Sequence, residues 1–208
     1  SAGLRAIVLG DDDVLVGTAI TDGNQDVMLF SSEGKATRFS ESAVRAMGRA
    51  SRGVRGINLA DGHRMISLLV PDASGTVLTV SENGYGKRTT VDDFPTKGRG
   101  GKGVIAMASS ERNGRLVGAL QVFTGDELML ISNQGTLVRT QCDQVSQLGR
   151  NTQGVRIIRT KEGETLVQAQ RIVDSGEEGE KVAAAAAEEN SVADGDAAAN
   201  NSDNSDGT

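Results

Sequence analysis

The chain has 208 residues, with 27 Gly, two Pro, four Phe, one Tyr and no Trp, a mix that argues against large helices packed around aromatic cores. No stretch of about 18 consecutive apolar residues occurs, which excludes a helical membrane span. The net charge of −6 is unevenly spread: residues 1–172 carry 21 Lys and Arg against 18 Asp and Glu, and residues 173–208 carry one Lys against ten acids.

Residues 1–9 lack a basic leader and run straight into Asp11, Asp12 and Asp13, so no signal peptide is expected. From there the chain repeats. Gly48-Arg-Ala-Ser-Arg-Gly-Val54, Gly98-Arg-Gly-Gly-Lys-Gly-Val104 and Gly149-Arg-Asn-Thr-Gln-Gly-Val155 are spaced by 50 and 51 residues, and Gly3-Leu4 fits the end of an earlier copy. Gly34, Gly84 and Gly135 form a second anchor in the same frame, each followed four residues later by Arg38, Arg88 or Arg139. Such periodicity marks a repeat architecture. It gives units of about 1–50, 51–100 and 101–151, with a partial fourth at 152–172.

Each unit reads as strands. In the third, residues 104–108, 115–123, 127–132 and 136–140 are short β-rich runs. Turn residues separate them, Thr124-Gly-Asp126 and Asn133-Gln-Gly135, with Pro71–Gly75 and Asn83-Gly84 at the matching places of the second unit. Four antiparallel strands in about 50 residues is the size of one propeller blade. The expected fold class is all-β, built of such blades. Three units and a fraction fall short of a closed propeller, so an open arc or part of a larger ring is expected, with further blades upstream. Helical periodicity is absent at length; residues Glu41–Met47 allow a short helical turn, but Pro95 in the equivalent stretch weighs against it. Cys142 cannot form an internal disulfide, which fits a reducing cytoplasm, and a half-buried place at a strand end is expected for it. Residues 173–208 lack the large apolar side chains that offset the entropy of ordering, and are expected to form a disordered acidic tail.

The Gly-Arg segment precedes the first strand of each unit, on a connection between blades. Its glycines permit a sharp turn while its cations project outward. Repeated once per blade, such loops would line one rim with positive charge, matching duplex DNA, which carries a phosphate about every 1.7 Å of its axis. The candidate DNA-binding residues are Arg49, Arg52, Arg55, Lys87, Arg88, Lys97, Arg99, Lys102, Arg150 and Arg156. Lys35 and Arg38 hold places in the first unit similar to those of Lys87 and Arg88. Backbone contacts of this kind position a protein without reading bases. Scarce aromatics disfavour single-strand binding; Tyr85, in a hairpin loop, is placed to touch DNA, although exposure alone explains it equally well.

Catalytic and nucleotide motifs are not supported. Gly98–Gly103 satisfies G-x-G-x-x-G, but a strand follows where a dinucleotide site needs a helix, and Gly103 stands where a P-loop needs Ser or Thr. The acidic pairs at Asp11–Asp13 and Asp92-Asp93 have no partner pattern, and His63 sits in a turn beside Gly62. No catalytic or metal-binding residue is expected.

These repeats resemble the C-terminal domain of the DNA gyrase A family. Lys97-Gly-Arg-Gly-Gly-Lys-Gly103 is similar to that family's basic box, Gln-Arg-Arg-Gly-Gly-Lys/Arg-Gly, with Lys97-Gly98 departing from Gln-Arg. Val44–Gly48, Asn83–Arg88 and Gly149–Val155 also look gyrase-like, so the likeness spans about residues 1–172. The resemblance implies a β-pinwheel of six blades, of which these would be the last three or so. It implies wrapping of duplex DNA in a positive sense, for strand passage and negative supercoiling. It further implies partnership with the rest of gyrase A and with gyrase B in a heterotetramer, and a cytoplasmic, nucleoid-associated location. ATP and Mg²⁺ would belong to the holoenzyme, with no cofactor in this region and no membrane partner. The acidic tail would modulate wrapping, since a tethered −9 segment can compete with phosphate for a +3 body. The corresponding C-terminal domain of topoisomerase IV and a propeller-type protein-interaction scaffold remain alternatives.

Overall fold

The computed structural model describes residues 3–173, and the expected acidic tail lies outside the described residues except for Val173. Among the described residues there are eleven strands: β1 Asp26–Ser31, β2 Lys35–Ser40, β3 Met65–Leu69, β4 Thr76–Ser81, β5 Tyr85–Thr90, β6 Val104–Ile105, β7 Leu116–Val122, β8 Glu127–Ser132, β9 Leu137–Gln141, β10 Val155–Arg156 and β11 Leu166–Ile172. The turn signals in the sequence fall between them, and Gly34, Gly84 and Gly135 all adopt positive φ at the hairpin tips.

The strands pair antiparallel into three sheets, ordered β3-β1-β2-β6, β7-β4-β5-β10 and β11-β8-β9. This all-β, propeller-like architecture is the expected one, but the blades are not the repeat units. Each central hairpin comes from one unit, the strand beside its first member from the next unit, and the short last strand from the unit after that. The third unit alone sends β6 to the first sheet, β7 to the second, and β8 and β9 to the third. Spacing along the chain does not encode which strand pairs with which, so a blade-sized repeat conceals this sharing.

Glycine makes the short strands possible. A Cβ on Gly103 would meet the Ala36 carbonyl oxygen at 2.5 Å, and one on Gly154 would meet that of Gly86 at 2.7 Å. The closing Gly-Val of the repeated segment thus lets Val104 and Val155 pair with Ala36 and Gly86.

Hydrophobic layers fill the spaces between sheets. Met28, Phe30 and Ala36 pack with Val77, Tyr85, Phe94, Met107 and Leu116, and the Phe30 and Phe94 rings meet edge to face at 6.0 Å. Leu78, Val80 and Val122 pack with Leu128, Leu130, Cys142, Val145 and Leu166. The second sheet is therefore buried on both faces, with five consecutive residues of β4 out of solvent.

Arginine clamps fasten the first and second sheets to the unit that follows. Arg38 Nη1 donates to the carbonyls of Val91 (3.1 Å) and Phe94 (3.2 Å), and its Nε to Asp26 (2.7 Å). Arg88 repeats this fifty residues on, donating to the carbonyl oxygens of Val145 (2.8 Å) and Asp143 (3.3 Å) and to the Asp143 carboxylate (3.0 Å). Arg139 instead pairs with Glu127 of its own sheet. The third sheet has no fourth strand among the described residues, and β9 there leaves Leu137 exposed.

Three local expectations are revised. The stretch near Glu41–Met47 forms a single 3-10 turn at Glu41–Ala43, repeated at Val91–Asp93 and Cys142–Gln144, with Pro95 just past the second. Cys142 is wholly buried rather than half-buried, and burial pushes its thiol up to about 11, so it is inert as a nucleophile. Tyr85 is buried at the start of β5, with the Arg112 and Arg156 guanidinium groups 4.7 and 5.2 Å from its ring centre.

Phe30→Ala is expected to cost about 3–5 kcal/mol in urea unfolding, because both aromatic packing and a filled core position are lost. Leu137→Ser on β9 is expected to stay within about 0.5 kcal/mol.

Candidate nucleic-acid interface

The three Gly-Arg loops are joined to one another by hydrogen bonds that repeat in register. Arg99 Nε donates to the carbonyl oxygen of Ala43 (2.9 Å) and its Nη1 to that of Arg55 (3.2 Å). One unit later, Arg150 Nε donates to the carbonyl oxygen of Asp93 (3.1 Å) and its Nη1 to that of Ile105 (2.8 Å). Main-chain bonds follow the same repeat: Asn58 N–H to Gly101 O (2.8 Å), and Ala108 N–H to Thr152 O (3.1 Å). Each loop is thus tied back to the one before it, and the loops form one continuous arc.

These ties divide the sequence-predicted residues by role. Arg99 and Arg150 hold neighbouring loops, their guanidinium donors directed at backbone carbonyls. Arg88 is engaged with Asp143 and Val145 as described. Arg156 donates through Nε (3.2 Å) and Nη2 (2.6 Å) to the Tyr85 hydroxyl. Together with Arg112, the larger cause, it holds that phenol's pKa below its usual value by stabilising the phenolate. Arg49, Arg52, Arg55, Lys97 and Lys102 are exposed and belong to none of the five salt bridges among the described residues. These five lie on the first two loops and their flanks, and are the cations placed to meet an anionic partner.

Lys87 is placed differently from its sequence expectation. Its side chain is fully buried, and Nζ donates to the carbonyl oxygens of Gly149 (2.8 Å) and Arg150 (2.5 Å). It supports the third loop from beneath and does not reach solvent. Its pKa is pushed down to about 8, chiefly by burial and then by the nearby Arg150 charge, with Asp93 opposing. Lys35, which lies two residues earlier in its own hairpin than Lys87 does and matches Tyr85 in register, pairs with Glu33 (2.7 Å).

Sequence reasoning passed over Arg112, which lies above the Tyr85 ring, and the carbonyls that receive the arginines. A backbone acceptor carries no residue-type signal, so only the repeat of the arginine itself pointed there. Elsewhere, His63 Nδ1 lies 3.2 Å from Ser32 Oγ. Among the described residues, no group of three or more His, Cys, Asp or Glu is placed to hold a metal ion, and no helix is long and apolar enough to cross a membrane.

Comparison with known proteins fits this geometry. The family described as "DNA gyrase C-terminal domain, beta-propeller" matches residues 25–72, 75–122 and 126–172, one repeat after another. The chain belongs to this family. DNA gyrase A of Pseudomonas aeruginosa is 50% identical over 172 residues, covering 83% of this chain and 19% of the relative. That of Salmonella typhimurium is 50% identical over 196 residues, covering 94% and 22%. That of Buchnera aphidicola subsp. Acyrthosiphon pisum reaches 61% over 173 residues, covering 83% and 21%. The chain therefore spans about a fifth of the length of the relatives it matches. Among solved structures, a DNA gyrase A C-terminal domain superposes with a TM-score of 0.74 at 29% identity, over 82% of this chain and 58% of that one. The C-terminal domain of DNA topoisomerase IV gives 0.78 at 22% identity, over 88% and 57%, a likeness of fold alone.

Arg99→Ala is expected to cost about 1 kcal/mol and to speed amide exchange at residues 43–58, leaving the second and third sheets as protected as before. Urea melts and exchange mass spectrometry check both.

Proposed function

We propose that this region binds the backbone of duplex DNA along its arc of Gly-Arg loops, without base specificity and without catalysis. The supporting observation is the continuous, hydrogen-bonded loop series in which Arg49, Arg52, Arg55, Lys97 and Lys102 have no carboxylate partner among the described residues. The fixed loops present these cations in two successive clusters, and a phosphate backbone offers charge along its length; release of its condensed counterions drives association. Tying the loops in advance also lowers the ordering cost on binding.

Membership of the gyrase family extends the proposal. The arc would wrap DNA and present a distant segment for strand passage and negative supercoiling by a type IIA topoisomerase. It would work alongside the remainder of gyrase A and alongside gyrase B, with ATP and Mg²⁺ used elsewhere in the holoenzyme and a cytoplasmic, nucleoid-associated setting. The acidic residues 173–208, with ten carboxylates against one lysine, would compete with phosphate for the same cations.

The test is binding of the 208-residue chain to linear duplex DNA across a salt series, with and without residues 174–208. The logarithm of affinity should fall linearly with the logarithm of salt, by about 0.9 per phosphate neutralised. Arg52→Ala with Lys102→Ala should reduce that slope by up to about 2, equally for unrelated sequences, and tail removal should strengthen binding. Absence of binding at low salt with the tail removed would overturn the reading for this arc.

A further inference from the structure

Lys87 has no blade-building reason to be a lysine. It occupies the position before the clamp arginine of its hairpin, where the other two units carry Thr37 and Val138. Those residues sit in equivalent strands without an ammonium, so the sheet does not require one. A charge at this depth is costly unless it is bonded to something that matters. Its Nζ reaches two carbonyls at the start of the third Gly-Arg loop, those of Gly149 and Arg150.

That loop differs from the other two. Gln153 stands where they have Arg52 and Lys102, and Arg150 is spent on the carbonyl oxygens of Asp93 and Ile105, on either side of the second loop. The third loop thus has no free cation of its own within the motif. A single path of bonds runs from the interior of the second sheet, through Lys87 to the third loop, and through Arg150 to the second. We propose that Lys87 is a positioning residue whose ammonium fixes the third loop against the second, so that its protonation state sets how well the arc binds DNA. This rests on the DNA-binding reading above and assigns a control point within the same surface.

The charged groups facing Lys87 are Arg150 from the loop and Asp93 from the 3-10 turn at Val91–Asp93. Thr79, its register partner on β4, is uncharged, while its sequence neighbour Arg88 bonds Asp143 and Arg156 of β10 bonds Tyr85. Lys87 loses its proton near pH 8, whereas an unfolded lysine does so near 10.5. Between those values the unfolded chain holds more protons at this site than the folded one, so this group makes global stability rise with pH. The neutral amine nonetheless makes weaker bonds to the two carbonyls. Loosening of the loop and loss of global stability therefore part company, which separates a positioning role from a structural one.

The experiment follows the full chain from about pH 6.5 to 9, an interval that brackets the lowered lysine pKa, by amide exchange corrected for intrinsic rates, by urea unfolding, and by affinity for a linear duplex at fixed low salt. Protection at residues 149–154 should fall through about pH 8 while the unfolding midpoint does not fall. Duplex affinity should drop several-fold over the same interval. In Lys87→Met both steps should vanish, with weaker binding already at neutral pH, whereas Lys102→Ala should weaken binding and keep the step. A flat exchange profile at 149–154 in the unmodified chain, which needs no variant to fold, would overturn the proposal. So would an unchanged pH step in Lys87→Met. If the exchange step appears and no duplex binds at any pH, the loop support stands and the DNA-binding reading fails; if duplex binds with no pH step, DNA binding stands and control by Lys87 fails.

Discussion

The structure depends on strand sharing between successive sheets. No 50-residue unit closes on itself: its short first strand completes the sheet two units back, its long second strand the sheet one unit back, and its hairpin founds a sheet of its own. A sheet is therefore complete only when three units are in place, and nearest-neighbour coupling, the usual basis of repeat-protein stability, here reaches a second neighbour. The third sheet shows the consequence. With no later segment paired to β9 among the described residues, Arg139 turns to Glu127 and the strand remains exposed along one edge.

Sharing also determines where the Gly-Arg loops can be. The second and third loops each lead into a two-residue strand that lies against the hairpin two units earlier, at Ala36 or Gly86. The closing glycine is needed because a side chain there would strike that hairpin's backbone. The loop is consequently anchored at its end by strand pairing and in its middle by its arginine. Arg99 and Arg150 each reach two carbonyls that flank the preceding loop, a task suited to a planar guanidinium with several donors and poorly matched by a lysine. A basic motif that reads as a DNA-binding signal is thus in part the joinery of the arc.

Much of this was legible in the sequence. The 50-residue period, the strand positions in the third unit and the hairpin tips at Gly34, Gly84 and Gly135 follow from repeats and turn chemistry, which are local properties. Strand partners were not legible, because pairing across units leaves no mark in spacing or periodicity. The division of labour among the cations was equally hidden. Arg52 and Arg99 look alike as residue types, yet one faces solvent and the other bonds Ala43 and Arg55, and the difference resides in backbone acceptors that any residue could supply. Lys87 and Tyr85 were misplaced for one reason. Both follow the Asn83-Gly84 turn closely enough to read as loop residues, but the turn closes within two residues and β5 begins at Tyr85.

The arrangement separates the charges that build the surface from those that face outward. Cations that bond carbonyls cannot adjust to a phosphate without releasing the loop they hold, whereas Arg52, Lys97 and Lys102 can move without cost to the fold. On the proposed DNA-binding reading, fixed arginines and free cations in one loop would together resolve a conflict, since such a surface must be ordered in advance yet tolerate the varied path of a bent duplex. Ordering falls to the bonds between loops, which reduce the entropy lost on binding. Tolerance falls to long side chains whose electrostatic attraction needs no exact geometry. On the proposed reading the third loop, which has Gln153 in place of a cation, would contribute mainly by holding its neighbour in register, with the buried Lys87 beneath it setting that register.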